Sequence, residues 1–91
     1  MSVELEEKTD TKTRHMPMYK VLLHNDDVNS MEHVIASVIQ VFKVNEQDAS
    51  RIMMEAHKNG VALCKIEPLE HAELHAEQLH SLSLQATIEP A

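Results

Sequence analysis

Apolar positions along this chain fall into short periodic stretches divided by polar breaks. Residues 18–24 (MYKVLLH) are apolar and β-prone, which predicts a strand. The run stops at Asn25-Asp26-Asp27, turn-forming residues that do not continue it. From Met31 the apolar positions are 31, 34, 35, 38, 39, 41 and 42. That spacing is helical and predicts a helix over 31–42. Asn29, with Glu32 three residues on, is read as opening a capping box. Asn45 and Asp48 mark a second start, and Ala49, Ile52, Met53 and Ala56 form one stripe with His57 on its edge. Lys58 and Gly60 suit a last turn and a stop, so the second helix is predicted over 46–58.

Residues 61–66 make a second strand. Pro68 suits the first turn of a third helix, with Leu69, Ala72, Ala76 and Leu79 as its apolar face. Leu82, Leu84, Ala86 and Ile88 then alternate with Ser83, Gln85 and Thr87, the pattern of a strand with one wet face. The order is βααβαβ. The expected fold class is α+β: one small domain with a three-stranded antiparallel sheet packed against three helices. Residues 1–17 precede it and mix Glu, Lys, Thr and Asp with few apolar positions. Such a stretch cannot offset its ordering entropy by burial. It is read as a flexible N-terminal tail, with 18–91 as the folded core.

Composition narrows the function classes. The 91 residues hold one domain at most. Eight Lys+Arg stand against 15 Asp+Glu, a formal net charge of -7, and Tyr19 and Phe42 are the only Phe, Trp or Tyr residues. Those numbers argue against a phosphate-tracking or base-stacking surface, so no nucleic-acid partner is expected. One Gly excludes a Gly-rich phosphate loop. One Cys, Cys64, excludes an internal disulfide and a Cys-based zinc site, as expected of a reducing compartment. No apolar run approaches the ~20 residues of a membrane span, and residues 1–10 lack the apolar core of a signal peptide. The expectation is a cytoplasmic protein with no membrane partner.

Asn25-Asp26-Asp27 places two carboxylates and an amide oxygen at a strand end. On composition alone this is most simply a polar turn. As a site it would take a cation, either a metal or an ammonium group, but it lacks the D-x-D-x-D-G spacing of a calcium loop. His57, beside an apolar stripe, is most simply a satisfied, partly buried side chain. His71 and His75 stand at i, i+4, a spacing that can grip a metal, but H-E-x-x-H is absent and a solvated charged face is the simpler reading. No Ser or Cys has a plausible base, so no enzyme chemistry is complete. Met31 and Met53 on the helix stripes are core filler or the mouldable wall of a pocket.

Together, residues 19–27 (YKVLLHNDD), Met31-Glu32-His33-Val34 and His57-Lys58-Asn59-Gly60 with Cys64 form a pattern that closely resembles the ClpS family. These are the adaptor proteins of the Clp ATP-dependent protease. The resemblance spans residues 18–89. It raises the polar turn and the lone histidine to candidate site residues. It implies a monomeric, non-enzymatic adaptor without cofactor or metal. Such an adaptor recognises N-degrons, proteins that begin with a bulky hydrophobic residue, and delivers them to the N-terminal domain of a ClpA- or ClpC-type AAA+ unfoldase.

By the same resemblance Asn25, Asp26 and His57 hold the free α-amino group and first peptide unit, with Asp27 as the adjacent acid. Met31 is the gatekeeper at the pocket mouth. Val34, Met53, Ala56 and Leu84 are side-chain pocket walls. Glu70 and His75 dock the unfoldase. The chain departs from the family pattern at Val28 and Asn29, which replace an aromatic and a Thr. Ala56 replaces a larger β-branched residue, His75 replaces a Lys, and the segment before the last strand is shortened.

The implied chemistry is coherent. An α-ammonium needs acceptors and a nearby anion, and a bulky apolar side chain needs a pocket between inward helix stripes. Two other readings stand beside it. One is a Clp-docking module that modulates the unfoldase without reading N-degrons. The other is a His/Asp metal-binding protein.

Overall fold

A computed structural model describes residues 16–91. Most of the expected tail, residues 1–15, lies outside the described residues. The elements are β1 (Met18–His24), α1 (Met31–Phe42), α2 (Glu46–Asn59), β2 (Val61–Pro68), α3 (Leu69–Ser81) and β3 (Ala86–Pro90). This is the expected βααβαβ order. The sheet order is β2-β1-β3, with both pairings antiparallel. β1 is therefore central, and its alternation aims Val21 and Leu23 into the core at 0% and 1% exposure. There they join Val38 and Phe42 of α1, Ala49 and Ile52 of α2, and Ala72 and Leu79 of α3.

The helix ends show which polar residues won. α1 starts as predicted, but its cap is Ser30, whose Oγ accepts the His33 N–H at 3.1 Å. Asn29 is not the cap, because its own N–H and side-chain amide both bind Asp26. α2 is capped by Asn45, which accepts the Asp48 N–H at 2.7 Å. It runs one residue past the predicted end, to Asn59, and closes on Gly60, whose φ of 87° suits a residue without Cβ. β2 continues to Pro68, beyond the predicted 66. A bulge interrupts its alternation: Leu63 opposes Leu22 and Lys65 opposes Val21, leaving Cys64 as the extra residue.

The third helix buries Ala72, Ala76 and Leu79 as expected, but Leu69 is 38% exposed. It sits in the first turn, beside Met16 and Pro17 rather than over the core. The last strand was expected from Leu82 and begins only at Ala86. Leu82 caps α3, and Ser83 turns left-handed at φ 70°. The Ser83 N–H donates to the His80 carbonyl at 2.9 Å and the Leu84 N–H to the Leu79 carbonyl at 3.0 Å. This is a Schellman closure, and its usual apolar contact explains why Leu84 is buried without belonging to a strand.

Candidate functional site

A cleft of about 220 Å³ opens where β1 ends, between the start of α1 and the second half of α2. Asn25, Asp26, Asp27 and His57 supply its polar end. Val34, Met53, Ala56 and Leu84 supply its apolar wall, with Met31 also lining it. The helical and strand periods put these residues on separate elements, and the tertiary fold brings them to one cleft. Met53, Ala56 and Leu84 are buried, whereas Met31 is 46% exposed.

One backbone contact assembles the polar end. The Asn25 N–H donates to the Gly60 carbonyl at 3.0 Å. Gly60 follows the last turn of α2, where His57 lies, so the contact ties the chain beyond His57 to the start of the N-D-D loop. Asn25, Asp27 and His57 are all exposed.

Asp26 has a more internal role than its position suggested. Its Oδ1 accepts the Val28 and Asn29 N–H groups at 2.9 and 2.8 Å, and its Oδ2 accepts the Asn29 amide at 3.1 Å. The loop thus occupies three of its roughly four acceptor positions. The backbone bond from Asn29 is the main reason its carboxyl lies below the usual carboxylate range. The Asn29 amide, the Val28 N–H and the field of His33 add to this, while partial burial works against it. Asp26 is therefore a fixed anion that also pins the loop.

Leu23, His24 and Asn29 also line the cleft and were not among the residues named from sequence. Strand alternation points to Leu23, the last inward residue of β1. Nothing local to Asn29 distinguishes a cap from a cross-link.

The two residues expected to dock an unfoldase lie elsewhere. Glu70 is exposed in the first turn of α3, lining a groove with Met16, Pro17, Tyr19 and Leu69. His75, five residues on, is turned roughly 140° round the helix. Its Nδ1 lies 2.6 Å from Oε2 of Glu67, and its ring centroid is 5.0 Å from that of Phe42. Glu67 is 3% exposed, with the Lys65 ammonium 3.9 Å away. Glu70 and His75 thus do not share one surface contact set. His71 is exposed while His75 is engaged with Glu67, and no cluster of three metal-capable side chains occurs among the described residues. Burial, helped by the charge of Glu55, pushes the Cys64 thiol up to about 12, which disfavours the nucleophilic thiolate.

The family model for the ATP-dependent Clp protease adaptor protein ClpS matches residues 14–90. This chain belongs to the ClpS family. It is 48% identical over 86 residues to the ClpS adaptor of Prochlorococcus marinus, covering 93% of this chain and 82% of that one. It is 43% identical over 91 residues to the ClpS of Gloeobacter violaceus, covering 99% and 98%. The solved structure of Agrobacterium tumefaciens ClpS2 bound to L-phenylalaninamide superposes with a TM-score of 0.82 at 32% identity, covering 85% of this chain and all of that one. ClpS proteins are adaptors of the Clp protease, so the family and fold read from the N-D-D and H-x-x-G motifs are those found. Among the described residues, no helix of this ClpS chain is long and apolar enough to cross a membrane.

Proposed function

We propose that this ClpS chain binds proteins bearing a bulky hydrophobic N-terminal residue and delivers them to a Clp AAA+ unfoldase of the ClpA or ClpC type. The observation that carries the proposal is the division of one cleft into a polar end and an apolar wall. A peptide N-terminus has the complementary division: an ammonium with three donors, and one carbon away a side chain. The cleft is smaller than the ~300–1,000 Å³ typical of drug-sized ligands, which suits one residue and not a longer segment. L-Phenylalaninamide, bound by the Agrobacterium ClpS2, has the same parts: a free α-amine, an apolar ring and one amide.

In this reading Asn25 and neutral His57 accept from the ammonium and orient the first peptide unit, while Asp26 and Asp27 supply the negative field. Val34, Met53, Ala56 and Leu84 enclose the side chain, and Met31 crowds its Cβ. Glu70 is exposed for docking the unfoldase N-terminal domain. His75, held by Glu67, supports α3 rather than supplying a docking contact. The adaptor acts as a cytoplasmic monomer without catalysis.

The test is binding of a Leu-starting peptide with its α-amine free and then acetylated, with and without a chelator. The expected result is tight binding lost on acetylation and indifferent to the chelator. Equal binding of both peptides, or none of either, refutes N-terminal reading. Loss with the chelator would instead indicate a metal site.

A further inference from the structure

Leu84 is the one cleft-lining residue drawn from the turn between α3 and β3; the others come from β1, the N-D-D loop, α1 and α2. Its position relative to the rest of the wall therefore depends on what holds that turn. The Schellman bonds tie it to α3, and the His24 N–H donates to the Gln85 carbonyl at 2.9 Å. Neither fixes the turn against α1, which lines the same cleft through Met31 and Val34. Two side chains at the start of α1 do. The Asn29 Nδ2 donates to the Ser83 carbonyl at 2.8 Å, and the His33 Nε2 lies 2.7 Å from the Leu82 carbonyl. Both acceptors are carbonyls just beyond a helix end, without a helical partner of their own.

The chemistry of the partners settles the donors. Asn29 Nδ2 faces two groups that only accept, the Ser83 carbonyl and the Asp26 carboxylate, so the nitrogen must be the atom pointing there. His33 faces a carbonyl and must hold its proton on Nε2; the neutral Nε2–H tautomer and the imidazolium both satisfy this. Asn29 consequently links the anion at the polar end of the cleft to the residue next to Leu84 on its apolar wall.

We infer that Asn29 and His33 are positioning residues that set the depth of the side-chain pocket by clamping the α3–β3 turn, and so help decide which N-terminal side chains fit. The inference rests on the proposed reading of the cleft. Releasing the clamp lets Leu84 move away from α1 and favours larger side chains.

The experiment measures affinity of the full chain for two peptides that differ only in a first residue of Leu or Phe. It is run on wild type, Asn29→Ala, His33→Leu and His33→Gln, together with hydrogen exchange at the Leu84 amide. His33→Leu leaves the Asp26 bonds in place, so it separates the turn from the polar end. His33→Gln retains a donor of similar reach. Loss of one hydrogen bond should move the Phe-to-Leu affinity ratio about three- to tenfold toward Phe, with faster exchange at Leu84 in Asn29→Ala and His33→Leu. His33→Gln should keep the wild-type ratio. A purely structural role would weaken both peptides alike. If wild type binds both peptides and neither variant moves the ratio toward Phe by more than about twofold, the inference is overturned. If wild type binds neither peptide, the reading of the cleft beneath it falls.

Discussion

Asp26 and Met31 show how single residues divide their duties. The Asp26 carboxylate accepts bonds from Val28 and Asn29 and keeps its charge while doing so. Asp26→Ala should therefore lower thermal stability as well as affinity. Charge-assisted bonds of this kind contribute about 1.5–3 kcal/mol, and the lower end suits a partly solvated loop. In a small domain that is a drop in Tm of about 6–12 °C. Because the folded value is depressed, this stability is present above the ordinary carboxylate range and is lost as pH falls through the lowered value. A side-chain carboxyl titration by NMR should place the midpoint below the ordinary 3.8, and one at or above it would contradict the network. Met31 differs, since at 46% exposure it is poor core filler. Met31→Ala should leave Tm nearly unchanged and raise affinity for Ile-starting relative to Leu-starting peptides. The gain should lie within the ~10–200-fold that one methyl group commands. An unaltered ratio would remove Met31 from the gatekeeper role.

Among the elements, α3 makes the most diverse contacts. Its Ala72, Ala76 and Leu79 face the core, its end folds into the turn that seats Leu84, and its His75 reaches back to buried Glu67. That pair is a stability device. His75→Ala should leave the Glu67 carboxylate buried with only the distant Lys65 ammonium and cost about 2–3 kcal/mol. Glu70→Ala, on an exposed first turn, should leave Tm unchanged and weaken binding to the unfoldase N-terminal domain. Thermal melts alongside a binding titration separate the two. If His75→Ala melts like wild type, the pair is of no energetic consequence. Near α3, the β3 edge is blunted. The Gln85 carbonyl faces β1, so that of Ala86 faces outward, where the His80 Nε2 meets it at 2.7 Å. Pro90, also outward, has no N–H to offer.

For the whole molecule, the core gathers around β1, and the cleft forms where β1 runs out between two helices. Cleft and core share Leu23, Ala56 and Leu84, so part of the cleft wall is made of closely packed core side chains. Residues 1–15, outside the described residues, are mostly polar in sequence. Deleting residues 2–14 should leave Tm and peptide affinity unchanged and slow degradation of an N-degron substrate by the protease. Degradation at the wild-type rate would make the segment dispensable for delivery.

The sequence by itself determined the order and type of every element, because side-chain periods of 2 and 3.6 follow from local backbone geometry. The bounds of β1 and α1 could be read to the residue, and the N-D-D and H-x-x-G motifs pointed to Asn25, Asp26, Asp27 and His57, which line one cleft with Leu23, His24 and Asn29, residues that the sequence reading left out. Where the reading failed, two local patterns competed. Alternation at 82–88 concealed a helix closure at Ser83, the alternation of β2 broke at a bulge, and Asn29 and Ser30 were both good caps. Only the tertiary structure decided that Asn29 would bridge Asp26 and Ser83, 54 residues along the chain, and that His75 would turn to Glu67. The reason is physical. Burial of apolar groups is non-directional and tolerates being read as a pattern. A polar side chain takes whichever partner the packed chain leaves within about 3 Å, and distant segments choose that partner together.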